Sequence, residues 1–339
     1  MKHLRITGLG VLLAASGLLA QSQSPAYRYI RAGEQADIKA QSRPGFALMG
    51  GGTDLDEAFK FLCDRAGGGD FLVLRATGDD EYNFYLRGLC RLNSVATLII
   101  PNRDAAANSF VFDAIKRASA IFIAGGDQAN YINFWMNTPV QTALNDAIKR
   151  GVPIGGTSAG LAVMGEFIYT AQGDKPDDPN LDGKTALADP YSARITLASG
   201  FLNIPILKDV ITDTHFARRD RMGRLLVFLA RLNEPDGKSV GSDAPKIRGI
   251  GVQERAAILM EPDGKAHVVG YGPAYFIDAD RGSGAMQTHK LPTFGPFTVQ
   301  KVMPGSDFYI RSWAGDGITY KLSIENGKIR SSQTANEIY

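Results

Sequence analysis

The sequence predicts an α/β protein with a mostly parallel sheet, helices on both faces and a β extension at the C-terminal end. Three observations carry this. From residue 45 to residue 155, short apolar runs alternate with amphipathic stretches of helical period. Glycine turns follow the apolar runs, at Gly50-Gly51-Gly52, Thr77-Gly78 and Gly125-Gly126. Hydrophobic residues make up 44% of the chain, enough for a large buried core. Strands that alternate with helices form parallel sheets covered on both sides, and their active sites collect at the strand C-termini.

In order, residues 46–49 read as a strand, and 54–66 as a helix with Leu55, Ala58, Phe59 and Leu62 on one face. Strand 71–75, helix 81–92, strand 96–100, helix 110–116 and strand 120–124 follow. Helix 138–150 and strand 152–155 complete the alternation. Residues 161–170 read as helical, and 172–190 as a long polar loop rich in aspartate. Beyond residue 250 the pattern turns to strands, with a hairpin signal at Glu325-Asn326-Gly327.

The organisation expected is a signal peptide over 1–20, a polar irregular lead-in over 21–43, a catalytic domain over 44–280 and a β extension over 281–339. Lys2 and Arg5 precede the apolar stretch 8–20, which ends in small residues suited to cleavage near Ala20. That predicts a secreted or periplasmic protein. Removing Lys2 and Arg5 from 37 basic residues leaves 35 against 35 acidic ones, so nothing in the charge favours nucleic acid. No further stretch is long enough to span a bilayer. Cys63 and Cys90 are the only cysteines; a disulfide and two buried thiols are both open. No metal site or cofactor is expected, and the oligomeric state is open, a homodimer included.

Gly156-Thr157-Ser158-Ala159-Gly160 follows the last parallel strand. Gly-x-Ser-x-Gly between a strand and a helix is a nucleophile elbow, in which a strained turn holds the serine hydroxyl out at the sheet edge. Such a serine needs a base. Of the three histidines beyond the leader, His267 fits an exposed cross-strand position, and His289 lies in a loop. His215 ends another strand, 210–213, and is the choice for general base. Asp189, stiffened by Pro190, is the expected orienting acid, with Asp177 and Asp174 as alternatives; Asp213 is expected to brace the loop. The amides of Ala159 and Gly126 would form an oxyanion hole. Gln128 could hold a substrate carbonyl or amide. Arg218, Arg219, Arg221 and Arg224 would follow His215 on a helix, where Arg221 and Arg224 could clamp a substrate carboxylate. The partner is then a peptide bearing acidic groups.

Gly50-Gly51-Gly52, Gly125-Gly126-Asp127-Gln128, the elbow, and Asp213-Thr214-His215-Phe216 with Arg219, Arg221 and Arg224 resemble the cyanophycinase and aspartyl dipeptidase E relatives of peptidase family S51. Gly249-Ile250-Gly251-Val252-Gln253-Glu254 matches a further glycine-acidic strand motif of that family. The resemblance covers about residues 45–280. It implies a fold like the class I glutamine amidotransferase domain, a serine nucleophile in Ser-acid-His order, and exopeptidase-like release of dipeptides, β-Asp-Arg units in cyanophycinase itself. It also implies substrate contacts at Gln128, Arg219, Arg221 and Arg224. Thr214 stands where the family has glutamine, and Gln253 where it has aspartate. Two other readings stay open: an esterase of the α/β-hydrolase type, which would need His267 or His289, and an inactive binder of anionic peptides.

Overall fold

The structure is a computed structural model that describes residues 26–175, 177–178, 180–233, 246–279 and 291–339. The expected signal peptide, its cleavage point near Ala20, and His289 lie outside the described residues.

Two mixed sheets form the frame. The larger has ten strands, ordered Arg28–Gly33, Ser94–Ile99, Asp70–Arg75, Ala120–Ile123, Ile154–Thr157, Phe46–Met49, Ala256–Met260, Lys265–Gly270, Asp307–Tyr309 and Ala314–Gly315. Only the five from Ser94–Ile99 to Phe46–Met49 run parallel to one another. The rest join antiparallel, so the expected mostly parallel sheet is a parallel centre with antiparallel flanks. Two of these junctions, Ala256–Met260 with Lys265–Gly270 and Asp307–Tyr309 with Ala314–Gly315, are made through short turns, which can only return the chain antiparallel.

The second sheet has eight strands, ordered Lys328–Ser331, Gly317–Glu325, Phe294–Val302, Ala274–Ala279, Arg248–Val252, Val210–Asp213, Phe167–Tyr169 and Leu197–Ser199. Its parallel contacts put Val210–Asp213 between Arg248–Val252 and Phe167–Tyr169. Of the C-terminal strands, Phe294–Val302, Gly317–Glu325 and Lys328–Ser331 continue this sheet, while Asp307–Tyr309 and Ala314–Gly315 end the first. Their hairpin turns at Asn326 (φ 49°) and Gly327 (φ 72°), the left-handed pair that a two-residue loop demands.

One apolar core joins the sheets: Leu48, Ile154 and Ile258 of the first pack with Ile250, Val252 and Phe276 of the second. Helices Asp56–Arg65 and Glu81–Leu89 cover the other face of the first sheet through Phe59, Leu62 and Leu86. Helix Met222–Leu232 covers the second sheet. The bond between Cys63 and Cys90 ties the two covering helices together.

Three local expectations are overturned. The lead-in is not irregular throughout, because Arg28–Gly33 is an edge strand antiparallel to Ser94–Ile99. Residues 161–170 do not form a helix. The helix is confined to Ala159–Ala162, and Phe167–Tyr169, a run of aromatic and β-branched residues, pairs into the second sheet. Helix Met222–Leu232 begins only after Arg221, so residues 215–221 form a turn and the arginines there do not share a helical face.

Candidate active site

Strand Ile154–Thr157 delivers Ser158 at its C-terminal end, with φ 51° and ψ −117°. The two elbow glycines are required by close approach. A Cβ on Gly160 would lie 2.0 Å from the Ile123 carbonyl oxygen, and one on Gly156 2.5 Å from the Gly160 backbone. No side chain fits either position, so the chain folds back on itself and holds the serine in a strained conformation. The Gly125-Gly126 turn lies against it: a Cβ on Gly125 would be 3.5 Å from that of Ser158. Ala159 opens a short helix, so its amide makes no intrahelical bond.

His215 arrives from the neighbouring sheet. Strand Val210–Asp213 ends beside the elbow, and the His215 amide donates to the Gly50 carbonyl at 2.8 Å. Its backbone is also left-handed, with φ 47°. The ring lies against Gly51, where any Cβ would come within 2.5 Å of Cε1 and Nε2. Nε2 sits 2.7 Å from Ser158 Oγ. Nδ1 sits 2.6 Å from Oε1 of Glu254.

Glu254, not Asp189, is therefore the carboxylate on the imidazole. Asp189 is exposed, ends helix Gly183–Ala188 and accepts from the Tyr191 amide. The alternatives are also engaged elsewhere or exposed. Asp174 and Asp178 share Arg194, at 3.1 and 2.6 Å, and Asp177 lies on the surface. Glu254 reaches the site because Arg248–Val252 runs parallel to Val210–Asp213, pairing Gly251 with Asp213. The two chains thus leave the sheet side by side, one carrying His215 and the other Glu254. The glycine-acidic strand motif was the available signal for this residue.

Burial pushes the imidazole below its ordinary value. Glu254 opposes that shift, while Arg219 and Arg221 reinforce it. A hydrogen-bonded neutral imidazole facing a serine hydroxyl is a base ready for use at neutral pH, and a carboxylate behind it fixes the tautomer and stabilises the imidazolium.

The arginines separate into two groups. Arg224 is buried and grips Asp213 with two bonds, Nε to Oδ2 at 2.8 Å and Nη2 to Oδ1 at 2.5 Å. Its Nη1 donates to the Leu181 carbonyl. Arg221, also buried, donates to the Thr214 carbonyl and hydroxyl at 2.9 and 3.1 Å and to Asn180 Oδ1 at 2.9 Å. Neither is free to clamp a substrate, so the expected Arg221–Arg224 clamp is corrected to an internal brace. Asp213 is the anchor of that brace. Arg218 and Arg219 are exposed beside His215, and their guanidinium groups have no acidic partner among the described residues. Gln128 opens helix Gln128–Trp135 and spends its amide nitrogen on the Tyr169 carbonyl at 2.5 Å, leaving its oxygen available. His267 bonds Asp307 at 2.6 Å on strand Lys265–Gly270, away from the elbow.

Residues 91–189 match the model of Peptidase family S51. This segment holds the Gly125–Gln128 turn and the elbow, and stops short of His215 and Glu254. A cyanophycinase of Geminocystis herdmanii is 32% identical over 165 residues, 48% of this chain and 51% of that protein. A cyanophycinase of Synechococcus elongatus is 29% identical over 241 residues, 68% of this chain and 66% of that protein. The alignment thus spans about half the length of the first of these relatives. The crystal structure of a peptidase from an acI-B1 Actinobacterium shares the fold, with a TM-score of 0.50 and 17% identity over 80% of this chain and 98% of that one.

Proposed function

We infer that this cyanophycinase-like chain, with its family S51 segment, is a serine-type peptidase. It would cut aspartyl or β-aspartyl peptide bonds through an acyl-enzyme at Ser158. The observation that carries the reading is the continuous relay of Ser158 Oγ, His215 and Glu254, with separations of 2.7 and 2.6 Å. In this mechanism His215 Nε2 takes the hydroxyl proton as Oγ attacks the scissile carbonyl. The amides of Ala159 and Gly126 receive the oxyanion. The imidazolium, held by Glu254, returns the proton to the leaving amine, and water then resolves the ester by the same path in reverse.

The substrate class rests on the relatives and on charge. The two curated relatives above are cyanophycinases, which makes cyanophycin the first polymer to test. Arg219, exposed next to the base, is the group suited to a substrate carboxylate, and Gln128 Oε1 can accept a peptide N–H. With Arg221 and Arg224 committed internally, Arg219 carries the carboxylate contact. Export through the 1–20 leader fits the Cys63–Cys90 bond, since disulfides persist in oxidising compartments.

The deciding experiment incubates the protein with cyanophycin and with a panel of α- and β-aspartyl dipeptides, reading product masses, beside fluorophosphonate labelling. The expected outcome is cleavage of at least one aspartyl bond, with the probe on Ser158 and no label on Ser158→Ala. Binding of these peptides without labelling or cleavage would instead identify an inactive binder.

A further inference from the structure

A cavity of about 280 Å³ opens at the opposite end of the strand that leads to His215. Val210 lines it, and Asp213 lies three residues further along Val210–Asp213, about 10 Å away at strand spacing. None of the residues around Ser158 borders it.

Its lining is basic and under-satisfied. Lys208, Lys246, Arg248 and Arg311 face it, against one lining carboxylate, Asp209. Lys246 is held by Asp278 at 2.7 Å, and Glu166 spends an oxygen on the Asp209 amide. Arg311 donates only to the carbonyls of Asp263 and Pro262, and Lys208 has no acidic partner among the described residues.

Trp313 is the most telling residue. It is only 6% exposed, and its indole N–H has no partner. Buried tryptophan donors ordinarily find one. Its backbone is left-handed, with φ 52°, and Phe276 and Phe308 fix the ring edge-on. The Arg248 guanidinium lies 4.9 Å from the ring centre; its buried Nε makes no hydrogen bond and stands 3.8 Å from the Asp278 carboxylate. A cavity lined with four cations, with a buried indole N–H left without a partner, is complementary to an acceptor-rich anion.

The structure assigns this cavity as a binding site for a small oxyanion, carboxylate or phosphate, received by the Trp313 indole N–H and Arg248 among the surrounding cations. The site is separate from the hydrolytic centre and does not depend on the function inferred above.

The chain has two tryptophans, and Trp135 is satisfied by the Ile100 carbonyl at 3.0 Å. Indole ¹⁵N–¹H spectra of the labelled protein therefore give one reporter and one internal control, with Trp313→Phe identifying the reporter. The protein is titrated at constant ionic strength with inorganic phosphate, with N-acetylaspartate, and with neutral acetamide. The expected result is a saturable shift of the Trp313 signal with at least one anion, while Trp135 stays still. Response to phosphate alone or to the carboxylate alone supports the site and names its ligand. Arg248→Gln should weaken binding about tenfold, the factor expected for one charge-assisted hydrogen bond. If that variant loses its native Trp135 signal, Lys208→Gln serves in its place, with a smaller loss. Absence of a saturable shift up to tens of millimolar anion, an equal shift with acetamide, or undiminished affinity in the folded variant would each overturn the assignment.

Discussion

Replacing Glu254 by glutamine tests the relay at the point where sequence and structure disagree most. The carboxylate oxygen is 2.6 Å from Nδ1, and its side chain is 27% exposed. Two unit charges about 4 Å apart at an effective dielectric of about 20 interact by about 4 kcal/mol. That support for the imidazolium is needed only once the serine proton has moved. At about 1.4 kcal/mol per decade it corresponds to about 10³ in rate, and the partial exposure of Glu254 trims the figure. The glutamine NH2 can donate to Nδ1 and favour the wrong tautomer, which adds a further penalty, so the expected total is about 10³–10⁴. The assay is the second-order rate of fluorophosphonate labelling of Ser158, which needs no knowledge of the natural substrate. The pH profile gives an independent sign. Glu254 raises the His215 value against the effect of burial, so removing it lowers that value further. The acid limb of Glu254→Gln must then move to lower pH even as its plateau collapses. Asp189→Ala should label within about twofold of the parent, as ordinary surface substitutions do. Near-normal labelling of Glu254→Gln, or a collapse in Asp189→Ala, would refute the assignment.

Gly51→Ala should slow labelling by about a hundredfold, because the new methyl would stand 2.5 Å from the His215 ring and displace it from Ser158. Arg224→Met should cost about 3–5 kcal/mol in guanidinium unfolding, because it strands the buried Asp213 carboxylate. A substrate clamp would instead weaken only carboxylate-bearing substrates and leave stability alone. Arg219→Ala removes a cation that lowers the His215 value, so the acid limb should move up in pH; kcat/KM should fall more for acidic peptides than for neutral esters. Reducing Cys63–Cys90, or replacing both by serine, should cost about 3–4 kcal/mol by chain entropy for a separation of 27 residues, with labelling of Ser158 unchanged.

What could be read from the residues was whatever local chemistry determines. The elbow was legible because its two glycines are dictated by contacts within one turn. His215 was legible because the chain offers few histidines and only one closes a strand at the correct edge. The hairpin at Asn326-Gly327 was legible because its two left-handed positions fall to the residues that tolerate them best. Glu254 was not, since its place beside His215 depends on the parallel register of two strands separated by helix Met222–Leu232. Strand Arg28–Gly33 escaped for the same reason: its partner lies more than sixty residues away, and its half-exposed residues show no clean alternation.

The arginines show how an error of a few residues in one helix start inverts a functional reading. On a helix from His215 onward, Arg221 and Arg224 would share a face and could be offered to a ligand. The helix starts at Met222, and the chain reaches it through a turn bounded by two left-handed residues, His215 at φ 47° and Asp220 at φ 48°. Each such conformation costs about 1–3 kcal/mol and persists only where its surroundings enforce it. Here they do so from three directions. Asp213 holds Arg224 from the strand side, and Asn180 and the Leu181 carbonyl hold Arg221 and Arg224 from the 172–190 segment. The Tyr339 hydroxyl joins the Met222 amide to the Asp220 carboxylate, both at 3.0 Å. The polar insertion between Ser158 and His215 is therefore part of what keeps the His215 turn in place. On the proposed mechanism, a substrate gains more from a base held at 2.7 Å from its nucleophile than from two further cations, and that is where this chain has committed Arg221 and Arg224.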